Sequence, residues 1–224
     1  MSFLKILFAR RQTKPKSKQE ARQPTQAEGT LGNRQSTSAS KKDGIPQIIS
    51  LYRESYKDQS LKNLNDMYFT IIGQIAAAEK EGKIDELLMH CQASLALLES
   101  LIKYCKKEYG RFDIKTIPAL DKGLIYFAIN GNTRQLKNIQ DVVNYFDELH
   151  TYADDVETAF ARRELAAKIF RYVKANSNCR QTDLKRNLNL EDGCLISTTV
   201  HYMEKAGKLK RIREGGKILL SVHK

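Results

Sequence analysis

The residues with the clearest capacity for chemistry are five cations near the carboxyl end, spaced around a pair of glycines. They are Lys208, Lys210, Arg211, Arg213 and Lys217, with Gly215-Gly216 between the last two. Two successive glycines favour a tight β-hairpin turn, because both central residues of such a turn need a positive φ. Cations on a protruding hairpin are suited to DNA phosphates or to a minor groove. The simpler alternative is a charged edge hairpin that prevents aggregation between strands.

A second set of polar residues lies in the segment that precedes this hairpin. Helical spacing places Ile196, Val200 and Met203 on one stripe, which should pack on Ile169, Val173, Leu184 and Leu188. The opposite stripe carries Cys194, Ser197, Thr198, His201 and Lys205. Hydroxyl and imidazole groups can bond to bases or to phosphates. This stripe lacks Arg, Asn and Gln, so it offers no bidentate base contact, and a solvated polar face is the alternative interpretation.

Patterns typical of catalysis or of metal binding are absent from the sequence. The four histidines lack neighbours at triad spacing, and neither of the glycine-rich phosphate-binding motifs occurs. The four cysteines, Cys91, Cys105, Cys179 and Cys194, are too widely spread for a structural zinc site. We therefore predict reduced, mostly buried thiols, no catalytic residues, no metal and no cofactor, in a protein that is not an enzyme.

The net charge of +12 is unevenly distributed along the 224 residues. Residues 1–42 hold 10 Lys and Arg against 2 Asp and Glu, and residues 161–224 hold 15 against 6. Residues 43–160 are mildly acidic, with 13 against 18. Positive charge that is concentrated in one region is the electrostatic signature of phosphate binding.

Most of the chain between Ile45 and Asn176 has helical periodicity. Apolar residues recur at intervals of three and four on both sides of Gly82, which predicts two amphipathic helices and a tight turn. A similar pair, Ile117–Ile129 and Thr133–Leu149, surrounds Gly131. The sequence therefore predicts two αα-hairpins. A further helix containing Asp154–Arg171 should continue into the carboxyl-terminal region.

The order of elements after residue 160 resembles that of the winged helix-turn-helix family. A helical stretch ending in Ala167–Asn176 and a second around Thr182–Leu188 come first, followed by a break at Asn189–Gly193. The helix from Ile196 and two β-rich stretches around the glycine pair complete the order. This resemblance implies one helix in the major groove and a hairpin over the DNA backbone. It also places Ser197 and Thr198 where that family contacts bases and phosphates.

The helical region has resemblances of its own. Phe69, Ile72, Gly73 and Ala76 stand where tetratricopeptide-like repeats favour an aromatic, a leucine, a glycine and a tyrosine. Helical hairpins followed by a winged helix also resemble the PCI-type modules of large complexes, in which the winged helix contacts protein rather than DNA. The second resemblance implies a non-catalytic scaffold.

Residues 1–44 have a composition that differs from the rest of the chain. They are basic and polar, and beyond Ala9 they contain almost no large apolar residue, which predicts a disordered tail. The short apolar segment Phe3–Phe8 leaves three alternatives open: docking on the protein's own surface, an interfacial membrane helix, or a transit-like peptide.

Together these features predict a mainly α protein with three parts. These are a disordered basic tail (1–44), a helical-hairpin domain (45–160) and a winged helix with a small β-hairpin (161–224). We expect a cytoplasmic regulator of transcription or replication that binds double-stranded DNA, with residues 45–160 serving a homodimer or a protein partner. The alternative is a scaffold or adaptor, with membrane-surface contact through residues 1–11.

Overall fold

Two helical hairpins form the first half of the described chain. The computed structural model describes residues 45–114, 116–190 and 192–223, so the predicted disordered tail lies outside the described residues. The first helices are α1 (Gln47–Ser55), α2 (Leu61–Glu81), α3 (Ile84–Tyr109), α4 (Pro118–Ile129) and α5 (Thr133–Tyr145). The pairs α2/α3 and α4/α5 are the two predicted hairpins.

Local sequence explains where these helices begin and end. The Ser60 side chain accepts a hydrogen bond from the Asn63 amide at 3.2 Å, which caps α2. Gly82 ends the same helix with φ +72°, a left-handed conformation that costs glycine little. The predicted helix over Thr133–Leu149 instead stops at Tyr145, and a 3₁₀ helix continues from Asp147 to Tyr152.

The first helix is attached to the hairpins by a largely buried carboxylate. The Arg53 guanidinium donates to Glu99 on α3 through Nε at 2.7 Å and through Nη2 at 2.5 Å. Lys103 Nζ lies 2.9 Å from the same carboxylate. The hydrogen bond from Arg53 holds the pKa of Glu99 below its ordinary value near 4.5, although burial opposes the shift.

The carboxyl-terminal region combines three helices with a three-stranded sheet. Its helices are α6 (Ala153–Ala175), α7 (Leu184–Asn187) and α8 (Gly193–Lys205), with a 3₁₀ turn over Gln181–Asp183. Its strands are β1 (Cys179–Arg180), β2 (Leu209–Glu214) and β3 (Lys217–Val222). The sheet is antiparallel in the order β1-β3-β2, so β2 forms one edge. The mainly α fold with a small carboxyl-terminal hairpin is thereby confirmed.

Two apolar cores share the long helix α6. Val156 and Ala159 near its start belong to the core of the helical hairpins. Ile169 and Val173 near its end belong to a second core that also contains Ile196, Val200, Met203 and Leu184 from α7 and α8. The predicted continuation of one helix into the carboxyl-terminal region is therefore observed, and the described residues all belong to one compact unit.

A helix that spans a bilayer needs about 20 consecutive, mostly apolar residues. Within residues 45–223, apart from the gaps at 115 and 191, none of the helices is both long and apolar enough to cross a bilayer.

Replacing Ile169 with Ala should destabilise the protein by roughly 2–5 kcal/mol, because the fully buried side chain fills the second core. Urea unfolding of the two proteins measures the difference. Arg171→Ala on the exposed side of α6 is the control and should change the free energy of unfolding by less than about 0.5 kcal/mol. A loss below about 1 kcal/mol for Ile169→Ala would contradict this packing.

Glu99→Gln should cost about 1–3 kcal/mol at neutral pH, since it removes the charge that Arg53 and Lys103 neutralise. The pKa of Glu99 is lowered in the folded state, so its contribution is present above the unfolded pKa and is lost as the pH falls through the folded value. The difference between the two proteins should therefore shrink below about pH 4. A difference that is constant down to pH 2 would refute the assignment.

Candidate nucleic-acid interface

The glycine pair forms the tip of the hairpin, as predicted. Gly215 and Gly216 have φ +54° and +74°, and Glu214 pairs with Lys217 across the turn. Side chains alternate between the two faces of the strand. Because Leu209 is buried, Arg211 and Arg213 share the inner face of β2, on the side of α8.

The outer face of the hairpin carries most of its free charge. Lys210 and Ile212 on β2 point outward, as do Lys217 and Leu219 on β3. Arg180 on β1 pairs with Leu219 and joins the same face. Within the described ranges, no carboxylate oxygen lies within 4.0 Å of the side-chain nitrogens of Lys210, Arg213 or Lys217. These three side chains are exposed and keep their full positive charge for a partner.

Arg211 differs from the other hairpin cations because it has an internal partner. Its Nε donates to Glu204 on α8 at 2.6 Å, and Nη2 contacts the same carboxylate. Nη2 also lies 3.3 Å from His201 Nδ1, which must act as the acceptor because a guanidinium has no lone pair to offer. Glu204 therefore neutralises Arg211 and joins the hairpin to α8.

Helix α8 has the two faces that its sequence predicts. Ile196, Val200 and Met203 are buried in the second core, whereas Ser197 is exposed. Asp192 caps the helix by accepting a hydrogen bond from the Leu195 amide at 2.9 Å. Thr198 Oγ1 donates to the carbonyls of Cys194 and Leu195 at 3.0 and 3.1 Å, so its hydroxyl proton is used within the helix.

The carboxyl end of α8 contacts the helical hairpins, although Lys205 at this end remains exposed. The rings of Tyr202 and Tyr126 on α4 meet edge to face with their centroids 5.6 Å apart. Lys205 Nζ lies 4.0 Å from Glu79 on α2, whose carboxylate also binds Lys122 at 2.8 Å. Of the residues predicted to bind DNA, Lys205 thus lies near a carboxylate of the helical hairpins but stays exposed to solvent. Lys208 is half-buried at the start of the hairpin.

Additional cations follow α6 and α7. Lys168, Arg171 and Lys174 are exposed along α6, and Lys185 is exposed on α7. Arg162 is different, because burial lowers the pKa of its guanidinium and its Nε has no hydrogen-bond partner among the described residues. The exposed cations of this region thus lie on the hairpin, on the outer face of the sheet, on α7 and along the second half of α6.

The described cysteines differ in their exposure to solvent. Burial raises the pKa of the Cys91 thiol to about 12, and Cys105 is also buried, whereas Cys194 is exposed. The described residues contain no cluster of three or more His, Cys, Asp or Glu that could hold a metal ion. The prediction that the protein is not an enzyme stays a prediction.

The sequence did not predict three features of this region. They are the short strand β1, the Glu204–Arg211 ion pair and the Tyr126–Tyr202 ring contact. Glu204 and Arg211 are seven residues apart on different elements, so no periodic pattern relates them. A strand of two residues is too short to show alternation.

Comparisons of the chain with models of protein families, with curated proteins and with solved structures found no match.

Tyr202→Ala should destabilise the protein by roughly 2–4 kcal/mol, because the ring packs against both cores. Tyr202→Phe keeps the ring contact with Tyr126 and should cost less than about 1 kcal/mol. Urea unfolding at neutral pH distinguishes the two. Equal losses for both variants would show that the contact between α8 and the hairpins contributes little.

Proposed function

We propose that the protein binds double-stranded DNA without catalysing a reaction, through the β2–β3 hairpin and the exposed stripe of α8. The observation that carries the proposal is the group of three exposed hairpin cations, Lys210, Arg213 and Lys217, which lack a carboxylate partner among the described residues. Cations without an internal partner can contact DNA phosphates and release the counterions bound there. This release is a main source of affinity in protein–DNA complexes.

The arrangement of elements supports the same proposal. Helices α6, α7 and α8 share one core with the sheet, in the order that the resemblance to a winged helix-turn-helix implies. Ser197 is exposed on α8, and the hairpin residues beyond Leu209 are largely exposed, so the proposal assigns duplex contacts to both elements. The protein would then act as a regulator of transcription or replication, with the helical hairpins available to a partner or a second copy.

Internal contacts define the expected contribution of each residue. Arg211 is neutralised by Glu204 and Lys205 is turned toward Glu79, so both should add less to DNA affinity than Lys210, Arg213 and Lys217. Ser197 and His201 can accept or donate single hydrogen bonds, which gives weak base preference. In the proposed complex, contacts with the DNA backbone supply most of the affinity, which therefore depends strongly on salt concentration.

A scaffold is the second candidate function, and one observation favours it. The Tyr202 ring packs against Tyr126 on α4, and Lys205 lies 4.0 Å from Glu79 on α2, so the carboxyl end of α8 contacts the helical hairpins. In that case the carboxyl-terminal region would serve to assemble a protein complex. The two functions differ in a measurable way, since a scaffold has no reason to bind a duplex with a steep salt dependence.

Changing Lys210, Arg213 and Lys217 together to Ala should weaken binding of the full chain to a random 20–30 base-pair duplex. The slope of log K against log salt is negative, and each lost phosphate contact should make it shallower by about 1. The triple variant should therefore have a slope shallower by about 3. Fluorescence anisotropy over a salt series measures both quantities.

The matched control changes three exposed cations of the helical hairpins, Lys62, Lys80 and Lys107, to Ala and alters the net charge equally. It should leave the slope nearly unchanged. Absence of duplex binding at low salt would overturn the proposal in favour of the scaffold, and equal weakening by both triple variants would remove the hairpin from it.

A further inference from the structure

The outward edge of β2 is an unpaired strand edge. The order β1-β3-β2 leaves one side of β2 without a neighbouring strand in the described part of the chain. In a two-residue hairpin the residues that flank the turn, Glu214 and Lys217, exchange backbone hydrogen bonds, and bonded and non-bonded pairs then alternate along the ladder. The bond from the His223 amide to the Lys208 carbonyl, at 3.2 Å, fits this alternation.

The alternation identifies the backbone groups that are free. Ile212 and Lys210 bond to β3 like Glu214, so the N–H and C=O groups of Arg211 and Arg213 face away from it. Such groups form a ready template for another extended chain. Arg213 and Ile212 are exposed, with Ile212 retaining 37% of its accessible surface. The outer half of this edge is therefore open.

We propose that this edge takes up an extended, acidic segment of a partner protein as an additional strand. The charge of the edge determines the kind of partner: Arg213 lies on one face, Lys210 lies on the other, and neither has a carboxylate within 4.0 Å among the described residues. Between them Ile212 presents an apolar side chain to solvent. A strand that alternates acidic and apolar residues would place its carboxylates on the face of Arg213 and its hydrophobic side chains on the face that Ile212 shares with Lys210. Arg213 therefore supplies the direct charge contact.

The same charges argue against other occupants. A parallel, in-register pair of β2 strands would bring Arg213 and Lys210 next to their own counterparts, and an antiparallel pair centred on Ile212 would place Arg213 opposite Arg211 of the second copy. Like charges opposite each other destabilise a strand pair. The chain's own residues 1–42 are also a poor match for this basic edge, because they hold 10 Lys and Arg against 2 Asp and Glu. This proposal rests on the strand edge and not on DNA binding. If the duplex uses the same cations, the acidic strand would compete with it.

The probe is a fluorescein-labelled peptide of seven residues in which glutamate and valine alternate. A peptide of the same composition with its glutamates grouped together controls for charge. Fluorescence anisotropy with the full chain should show that the alternating peptide binds about tenfold more tightly, because a register of backbone bonds and side chains is added to attraction between charges. Equal affinity of the two peptides, or no binding of either, would overturn the proposal.

Two variants of one residue separate the backbone from the charge. Arg213→Ala and Arg213→Pro both remove the cation, but only proline removes the outward N–H, which makes no bond to β3. Strand addition predicts that Arg213→Pro weakens binding of the alternating peptide about tenfold more than Arg213→Ala does. Equal effects would contradict it.

Amide exchange of the unmodified chain gives a readout that needs no variant. The Arg211 and Arg213 amides should exchange fast in the free protein and become protected when the alternating peptide is bound, whereas Ile212 is protected in both states. Unchanged exchange at Arg213 with peptide bound would overturn the proposal. Duplex binding is measured separately, so failure of the peptide leaves the DNA proposal intact.

Discussion

The continuity of α6 is the constraint on which the rest of the structure depends. At 1.5 Å per residue its 23 residues extend over about 35 Å, and its two ends lie in different apolar cores. A sharp kink between the cores would cost backbone hydrogen bonds, so the unbroken helix holds the sheet and the hairpins in one relative position. Tyr202 and Ala206 reinforce that position, since both contact each core.

This rigid connection explains how charge is divided between structural and exposed roles. The cations close to the junction are used internally: Lys122 and Lys205 approach Glu79, and Arg211 is held by Glu204. Cations further from the junction, on the hairpin and the outer sheet face, have no such partners among the described residues. Proximity to the helical hairpins thus determines which cations of the basic carboxyl-terminal region lack an internal partner among the described residues.

Periodicity and turn residues made much of the fold predictable. The helices on both sides of Gly82, the pair around Gly131 and the turn at Gly215-Gly216 are observed, although the second helix after Gly131 ends at Tyr145 instead of Leu149. Each of these depends on residues that are close along the chain, which is why spacing alone identifies them. The separation of α8 into a buried and a polar face follows from the same periodicity.

What escaped prediction depends on contacts between distant residues. Arg53 and Glu99 are 46 residues apart, and Tyr126 meets Tyr202 across the junction of the cores. Neither pair leaves a local pattern, because proximity arises only once the helices have packed. For this reason the sequence predicted which residues belong to the candidate site. Only the structure shows that Glu204 neutralises Arg211 and that Lys205 lies near Glu79.

The central claim is that the hairpin and the exposed stripe of α8 form the surface that meets DNA. The most direct measurement is an amide chemical-shift titration of the full chain with a short duplex at low salt. The account predicts the largest shifts at Gly215, Gly216, Lys217 and Ser197, with little change in α2 and α3. Shifts confined to the helical hairpins, or no shifts at all, would contradict it.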